Sequence, residues 1–338
     1  MKAIRIIKAG SVEITDIPRP TVKEGHVLLK IDYVGFCGSD LNTFRGLNPL
    51  VNLPVIPGHE IGATVAELGA NLVTDLTIGT KVTVNPYSNC GLCTACKNNR
   101  PNACRYNETM GVQRDGAMAE YIVVPIEKVI AGGQLSSKQL ALVEPMSVGF
   151  HAVDRASVTD SDVVLVFGCG MIGMGAIIRA ALRGATVIAV DVSAEKLALA
   201  RKLGAKFTIN SVEEDLQAKL AMLTQAMGAD VVIEAVGRKE TYLAAIEAAA
   251  YTGRVLYIGY AKDAIPFDTQ FFVKKELDIR GARNATSKDF VAVMNYLEMK
   301  TCSLEELITA IYRIEDAQLA LETWSNDPGR IFRLLIAF

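Results

Sequence analysis

Two patterns of apolar residues divide the chain. The opening MKAIRIIKAGSVEITD alternates apolar and polar positions, the period of a half-buried strand. The same alternation runs through KEGHVLLKIDYVGFCGSD before a Cys-Gly-Ser-Asp loop, and EIGATVAELG and GTKVTVNP predict further short strands. From about residue 150 the apolar residues gather into runs instead: VVLVFG (163–168), TVIAVD (186–191), KFTIN (206–210), DVVIEAV (230–236), RVLYIGY (254–260) and DIRGAR (278–283). Helical patterns such as SAEKLALARKLGA and KETYLAAIEAAAYTG stand between them. Six β–α units in succession predict a doubly wound parallel sheet. A helix over about 287–299, further helical segments and a strand in GRIFRLLIAF follow. The expected class is therefore α/β, a β-rich domain joined to a parallel-sheet domain.

Composition narrows the setting. A chain of 338 residues suits about two domains of roughly 100–200 residues each. With 50% apolar and 21% charged residues it is an ordinary globular protein. Basic and acidic residues number 35 and 37 without a long run of either sign, so no nucleic-acid or anionic-membrane partner is expected. The apolar stretch VVLVFGCGMIGMGAII (163–178) falls short of the ~20 residues a spanning helix needs, and glycines break it. It predicts a buried strand turning into a buried helix. The N-terminus has no signal-peptide pattern, so a cytoplasmic location is expected. In that reducing compartment, clustered cysteines bind metal more often than they form disulfides.

Two local motifs carry chemistry. Gly168, Gly170 and Gly173 form G-x-G-x-x-G after an apolar strand and at the start of a helix, and Asp191 follows at the end of the second strand. That combination predicts dinucleotide binding: glycines admit the pyrophosphate, and the helix N-terminus offers unpaired N–H groups. Asp191 would bind the adenosine ribose and repel a 2′-phosphate, which favours NAD over NADP. Met171, Ile172, Lys196, Val236, Ile258 and Arg283 are the remaining expected cofactor contacts, although Lys196 equally suits a solvated helix surface. The second motif is NCGLCTACKNNRPNAC, where Cys90, Cys93, Cys96 and Cys104 hold four of the seven cysteines. Four thiolates close a tetrahedral zinc shell with no open position, a structural site. An iron–sulfur cluster also uses four cysteines, but no other redox signature accompanies these.

Cys37 in FCGSD, His59 and Glu60 in PGHE, and Glu144 in VEPM remain. Singly, each has a plain explanation: a small buried hydrophobe, a turn histidine with its acidic neighbour, a helix-start acid. Together, FCGSD, PGHE, the cysteine lobe, VEPMSVGFHA and the glycine fingerprint occur in the order found in zinc-dependent medium-chain alcohol and polyol dehydrogenases, which the whole chain resembles. The Glu144-Pro145 pair resembles the sorbitol and threonine dehydrogenase branch. KKELDIRGARNATSKDF most resembles bacterial sugar-acid members such as L-galactonate, L-gulonate and L-idonate 5-dehydrogenases, a less specific likeness.

That resemblance implies a split GroES-like catalytic domain (1–146 and 287–338), a Rossmann NAD-binding domain (147–286), and a homodimer or homotetramer. It implies two zinc ions per chain, one held by the four cysteines. The other, catalytic, would be held by Cys37, His59 and Glu144, directly or through water, with Glu60 approaching when coordination changes. The implied reaction is reversible hydride transfer between a secondary alcohol, of a sugar acid or polyol, and NAD. Ser39 would take the hydroxyl proton, and Asp40 would orient His59 through its second ring nitrogen. Asn42 stands where many relatives carry a relay histidine. Arg45 and Arg283 are the candidates for a substrate carboxylate. The alternatives are a sorbitol, hexitol or L-threonine 3-dehydrogenase, a zinc-free quinone reductase, and a catalytically silent NAD-binding sensor.

Overall fold

The computed structural model describes residues 1–299 and 304–338. The chain forms two compact units, Met1–Glu144 with Thr286–Phe338, and Pro145–Ala285.

In the first unit, β1 (Lys2–Lys8) and β2 (Ser11–Asp16) make an antiparallel hairpin. β3 (His26–Gly35), β4 (Glu60–Leu68), β5 (Lys81–Val84), β6 (Tyr121–Pro125) and β7 (Val129–Ala131) belong to a larger sheet. β3 and β4 run antiparallel in a register that sets Gly35 opposite Glu60. This pairing ends the predicted strand at the FCGSD loop and starts the next one at the acid of PGHE. Alternation buries one set of side chains, among them Val27, Leu29 and Ile31 on β3, and an irregularity between Ile31 and Tyr33 shifts the register before buried Val34.

The second unit holds β8 (Val163–Phe167), β9 (Thr186–Asp191), β10 (Phe207–Asn210), β11 (Ala229–Glu234), β12 (Ala249–Tyr257) and β13 (Asp278–Gly281). All pairs are parallel, in the order β10-β9-β8-β11-β12-β13. Numbered within the unit this is 3-2-1-4-5-6, the dinucleotide-binding order, whose ligand crevice lies beyond the carboxyl ends of its first and fourth strands. Val164, Leu165 and Val166 are fully buried because helices cover both faces of a parallel sheet.

The chain then rejoins the first unit. β14 (Ala310–Arg313) runs parallel to β15 (Leu334–Ala337), and β15 pairs antiparallel with β3. The end of the chain therefore lies beside the strand that leads into FCGSD. Among the described residues, no helix is long and apolar enough to cross a membrane.

Candidate active site and metal centres

The FCGSD loop becomes the start of helix Gly38–Phe44, with Cys37 as its N-cap residue. Asp40 closes the cap: its Oδ2 accepts the Cys37 amide at 2.8 Å. This fixes the thiol-bearing residue at the mouth of the helix. The antiparallel register carries β4 back past the same point, so His59 and Glu60 arrive beside Cys37. One donor atom from each of Cys37, His59 and Glu60 lies within 4.8 Å of the others. His59 and Glu60 are buried, at 5% and 0% exposure.

Room for Glu60 is made across the sheet. A Cβ on Gly35 would stand 2.2 Å from Glu60 Oε2, so any larger residue there would displace the carboxylate. Arg333, buried just before β15, donates to Glu60 Oε1 at 2.8 Å, and to the carbonyl of Phe36. Oε2 of Glu60 has no hydrogen-bond partner, nor has Nδ1 of His59. Burial pushes the Glu60 carboxyl up to about 7, against the pull of Arg333. Burial pulls His59 down, but the neighbouring Cys37, Asp40 and Glu144 outweigh it and hold the imidazole well above its usual value. A thiol, an imidazole and a carboxylate with orphaned buried atoms form a donor set suited to a zinc ion.

Of the two glutamates expected here, Glu60 belongs to this close set, and Glu144, expected as a direct or water-mediated donor, does not. The Glu144 carboxylate, at 4% exposure, accepts the hydroxyl of buried Tyr87 on Oε1. Burial and then Glu144 raise the Tyr87 phenol well above its usual value. Asp40 differs from expectation as well. It caps the helix, and its Oδ1 and His59 Nδ1 both lack hydrogen-bond partners. Its influence on His59 is through charge. Ser39 Oγ is buried and unpartnered, while its carbonyl accepts Thr43 Oγ1 at 2.8 Å. Arg45 is engaged within the unit: Nε and Nη2 donate to Ser325 Oγ and O at 3.0 and 2.6 Å.

Sequence reasoning missed Tyr87 and Arg333. Tyr87 follows the strand pattern of GTKVTVNP and carries no motif. Arg333 did leave a signal, a lone cation in the apolar run IFRLLIAF. A buried arginine almost always has an acidic or carbonyl partner, but nothing in the run says that the partner is Glu60.

The four-cysteine lobe is local. All four sulfurs lie within 4.8 Å of one another. The Cys93–Cys96 and Cys93–Cys104 sulfurs stand 3.6 and 3.8 Å apart. A tetrahedron with ~2.3 Å zinc–sulfur bonds has edges of about 3.8 Å, whereas a disulfide would bring two sulfurs to about 2.05 Å. Backbone amides of Leu92 and Cys93 donate to Cys90 Sγ at 3.4 and 3.3 Å, and those of Cys90 and Tyr106 to Cys104 Sγ at 3.3 and 3.4 Å. Such donors favour thiolates: amides of Arg105 and Cys96 lower Cys93 to about 6. Leu92 and Tyr106 face outward at 77% and 63% exposure, so the lobe has little apolar packing of its own.

In the second unit, Gly168 adopts φ +90°, a conformation that disfavours side chains, and a Cβ on Gly173 would lie 1.7 Å from the Gly168 carbonyl. Gly170 caps the helix Met171–Leu182 without a side chain and with open space beside it. Met171 is buried and Ile172 half-buried on its first turn. Asp191 accepts the Cys169 and Ser193 amides at 2.7 and 2.9 Å, which fixes its carboxylate beside the glycine turn. Val236 stands against Gly168. Ile258 is buried just after β12, Arg283 half-buried after β13, and Lys196 half-buried on the helix Ala194–Lys202. Glu234, at the end of β11, was not foreseen. Its Oε1 accepts the Val236 and Gly237 amides and Thr241 Oγ1 at 2.9, 2.8 and 2.8 Å, shaping the loop that follows the strand.

Residues 23–133 match the alcohol dehydrogenase GroES-like domain, and residues 172–298 match the zinc-binding dehydrogenase family. L-galactonate-5-dehydrogenase of Escherichia coli K12 is 34% identical over 313 residues, 92% of this chain and 90% of that one. The chain belongs to the zinc-binding medium-chain alcohol dehydrogenase family. Among solved structures, galactitol-1-phosphate dehydrogenase of Escherichia coli superposes with a TM-score of 0.92 at 29% identity, covering 100% of each chain. The short chain alcohol dehydrogenase rspB of Escherichia coli CFT073, in complex with NADH, gives 0.92 at 27% identity over 100% of this chain and 99% of that one. The family, the α/β architecture of GroES-like and Rossmann domains, and an enzyme of the zinc-type alcohol and polyol dehydrogenase class are thereby established.

Proposed function

We propose that this dehydrogenase oxidises a secondary alcohol of a sugar acid with NAD, acting as a hexonate 5-dehydrogenase on L-galactonate, L-gulonate or L-idonate. The observation that carries the substrate reading is the 34% identity, over 92% of the chain, to an L-galactonate-5-dehydrogenase. Cys37, His59 and Glu60 would hold the catalytic zinc, with Glu144 beside them, and Cys90, Cys93, Cys96 and Cys104 the structural one. When bound, the catalytic zinc supplies Lewis acidity toward an alcohol oxygen, and NAD supplies the hydride acceptor.

The chain's own residues do the rest. Ser39 Oγ, buried and free of protein partners, is available to accept the substrate hydroxyl proton. Arg333 neutralises Glu60 and keeps an ionised carboxylate tolerable in a buried site. Asp40 fixes Cys37 through its amide. The glycine turn and the amides of the helix Met171–Leu182 receive the pyrophosphate. Asp191 receives the adenosine ribose and disfavours a 2′-phosphate. Arg45 and Arg283 are the candidates for a ligand anion, and Arg45 would have to give up its bonds to Ser325 to serve. We further propose that the protein acts as a homodimer or homotetramer.

The test is NADH formation with the three hexonates, sorbitol, galactitol and L-threonine, repeated with NADP. A hexonate should give the highest kcat/KM. Turnover of neutral polyols alone would refute the sugar-acid reading, and a tenfold preference for NADP would refute the role of Asp191. No turnover on any substrate, with zinc bound, would favour the sensor.

A further inference from the structure

Tyr87 has no part in the reading above, yet its hydroxyl donates to Glu144. Both groups are buried, at 5% and 4% exposure, and the phenol hydroxyl donates to Oε1 of the carboxylate. Of the four candidate donors around Cys37, Glu144 alone lies outside the set whose ligand atoms approach within 4.8 Å. It is nonetheless close enough for its charge to be felt at His59 and Glu60. A buried carboxylate seeks whatever donor or cation is in reach. The Tyr87 hydroxyl is one claimant, and any cation gathered by Cys37, His59 and Glu60 is another. The helix Val143–Arg155 sets the Glu144 backbone, and the hydrogen bond from Tyr87 draws its carboxylate toward the phenol.

We propose that Tyr87 is a positioning residue that holds the Glu144 carboxylate back from the Cys37, His59 and Glu60 donors, so that Glu60 completes the protein's ligand set and a coordination position stays open for substrate. The inference rests on the reading of those three residues as a zinc site. It assigns the choice between two neighbouring glutamates to one hydroxyl group.

The test is Tyr87→Phe, which removes the hydroxyl and leaves the ring in place. The zinc of the Cys37 site is exchanged for cobalt, and the visible spectrum is recorded. Freed from the phenol, Glu144 should join the metal. The d–d absorption should then weaken several-fold as the coordination number rises above four. Zinc loss from that site to a chelator should slow about tenfold, and kcat should fall by more than KM changes. Replacing Glu144 as well, in Tyr87→Phe/Glu144→Gln, should restore the wild-type intensity. A Tyr87→Phe spectrum and zinc-loss rate within twofold of wild type would overturn the inference, even if thermal stability fell, because packing alone would then explain the tyrosine. Failure of Glu144→Gln to restore the spectrum would overturn it too. Wild-type protein that takes up metal only at the four cysteines would overturn the zinc-site reading and this inference with it. Metal bound normally at Cys37 with a silent Tyr87→Phe overturns the inference alone.

Discussion

Replacing Arg333 with methionine tests how the first unit tolerates an acid in its core. The change removes the 2.8 Å bond to Glu60 Oε1 and the bond to the Phe36 carbonyl, while a long apolar side chain keeps most of the volume. Removing one partner of a buried ion pair costs about 3–5 kcal/mol, because the other charge is left without compensation. The cost should depend on pH, and its sign follows from Glu60. In the metal-free protein this carboxyl is raised from 4.5 to about 7. The folded state therefore holds a proton that the unfolded state has released, and stability falls as pH climbs from 4.5 through 7. At 1.36 kcal/mol per unit, that fall is about 3 kcal/mol from this one group. Without Arg333 the folded value rises further and the fall extends to higher pH. Urea unfolding of chelator-treated wild type and Arg333→Met, at pH 5 and pH 8, should show a loss at pH 8 that exceeds the loss at pH 5 by up to about 1.4 kcal/mol, because wild type releases its Glu60 proton only over the last unit of that range while the variant retains it. Equal losses at both pH values would refute the argument. Arg333 would then act through the Phe36 carbonyl and packing, not through the charge of Glu60.

Other outcomes follow from the same geometry. Cys37→Ala should abolish turnover while the far-UV circular dichroism is kept, and elemental analysis should find one zinc per chain instead of two. Cys93→Ala should lose the other zinc and open the lobe to protease between Pro86 and Arg114, because the lobe's exposed Leu92 and Tyr106 offer no core in the metal's place. Gly173→Ala must displace the Gly168 carbonyl from a 1.7 Å contact, so calorimetry should show NAD binding weakened by at least tenfold, about 1.4 kcal/mol. Asp191→Ser removes the acceptor of the Cys169 and Ser193 amides. It should weaken NAD binding and narrow the difference between NAD and NADP, as measured by kcat/KM with each cofactor.

What the chain revealed in advance was its local chemistry. The glycine fingerprint and the four cysteines each lie within one short segment, so spacing alone set their geometry. The strands of the second unit were legible because a parallel sheet buried on both faces leaves apolar runs such as VVLVF. The cluster at Cys37 was harder. Cys37, His59 and Glu60 are joined by the register of β3 on β4, and only resemblance placed them together. How the two glutamates divide around them is not written in their spacing, because Glu144 meets Tyr87, 57 residues away. The partner that engages Arg45, Ser325, lies 280 residues away and is invisible from its surroundings. Asp40 was assigned to His59 when its nearer task, capping its own helix at Cys37, was already written in the spacing of C-G-S-D.

The bond between Glu60 and Arg333 spans 273 residues. At synthesis rates of about 5–20 residues per second, the acid leaves the ribosome some 15–50 s before its counter-ion exists. Throughout that interval the nascent chain carries Cys37, His59 and Glu60 with no β15 against β3 and no cation to offset the acid. A metal arriving early would meet a soft, solvated and unselective set of donors. One arriving after Arg333 has docked would meet a closed and charge-balanced site. The order of translation thus completes the donor set well before the charge that balances it.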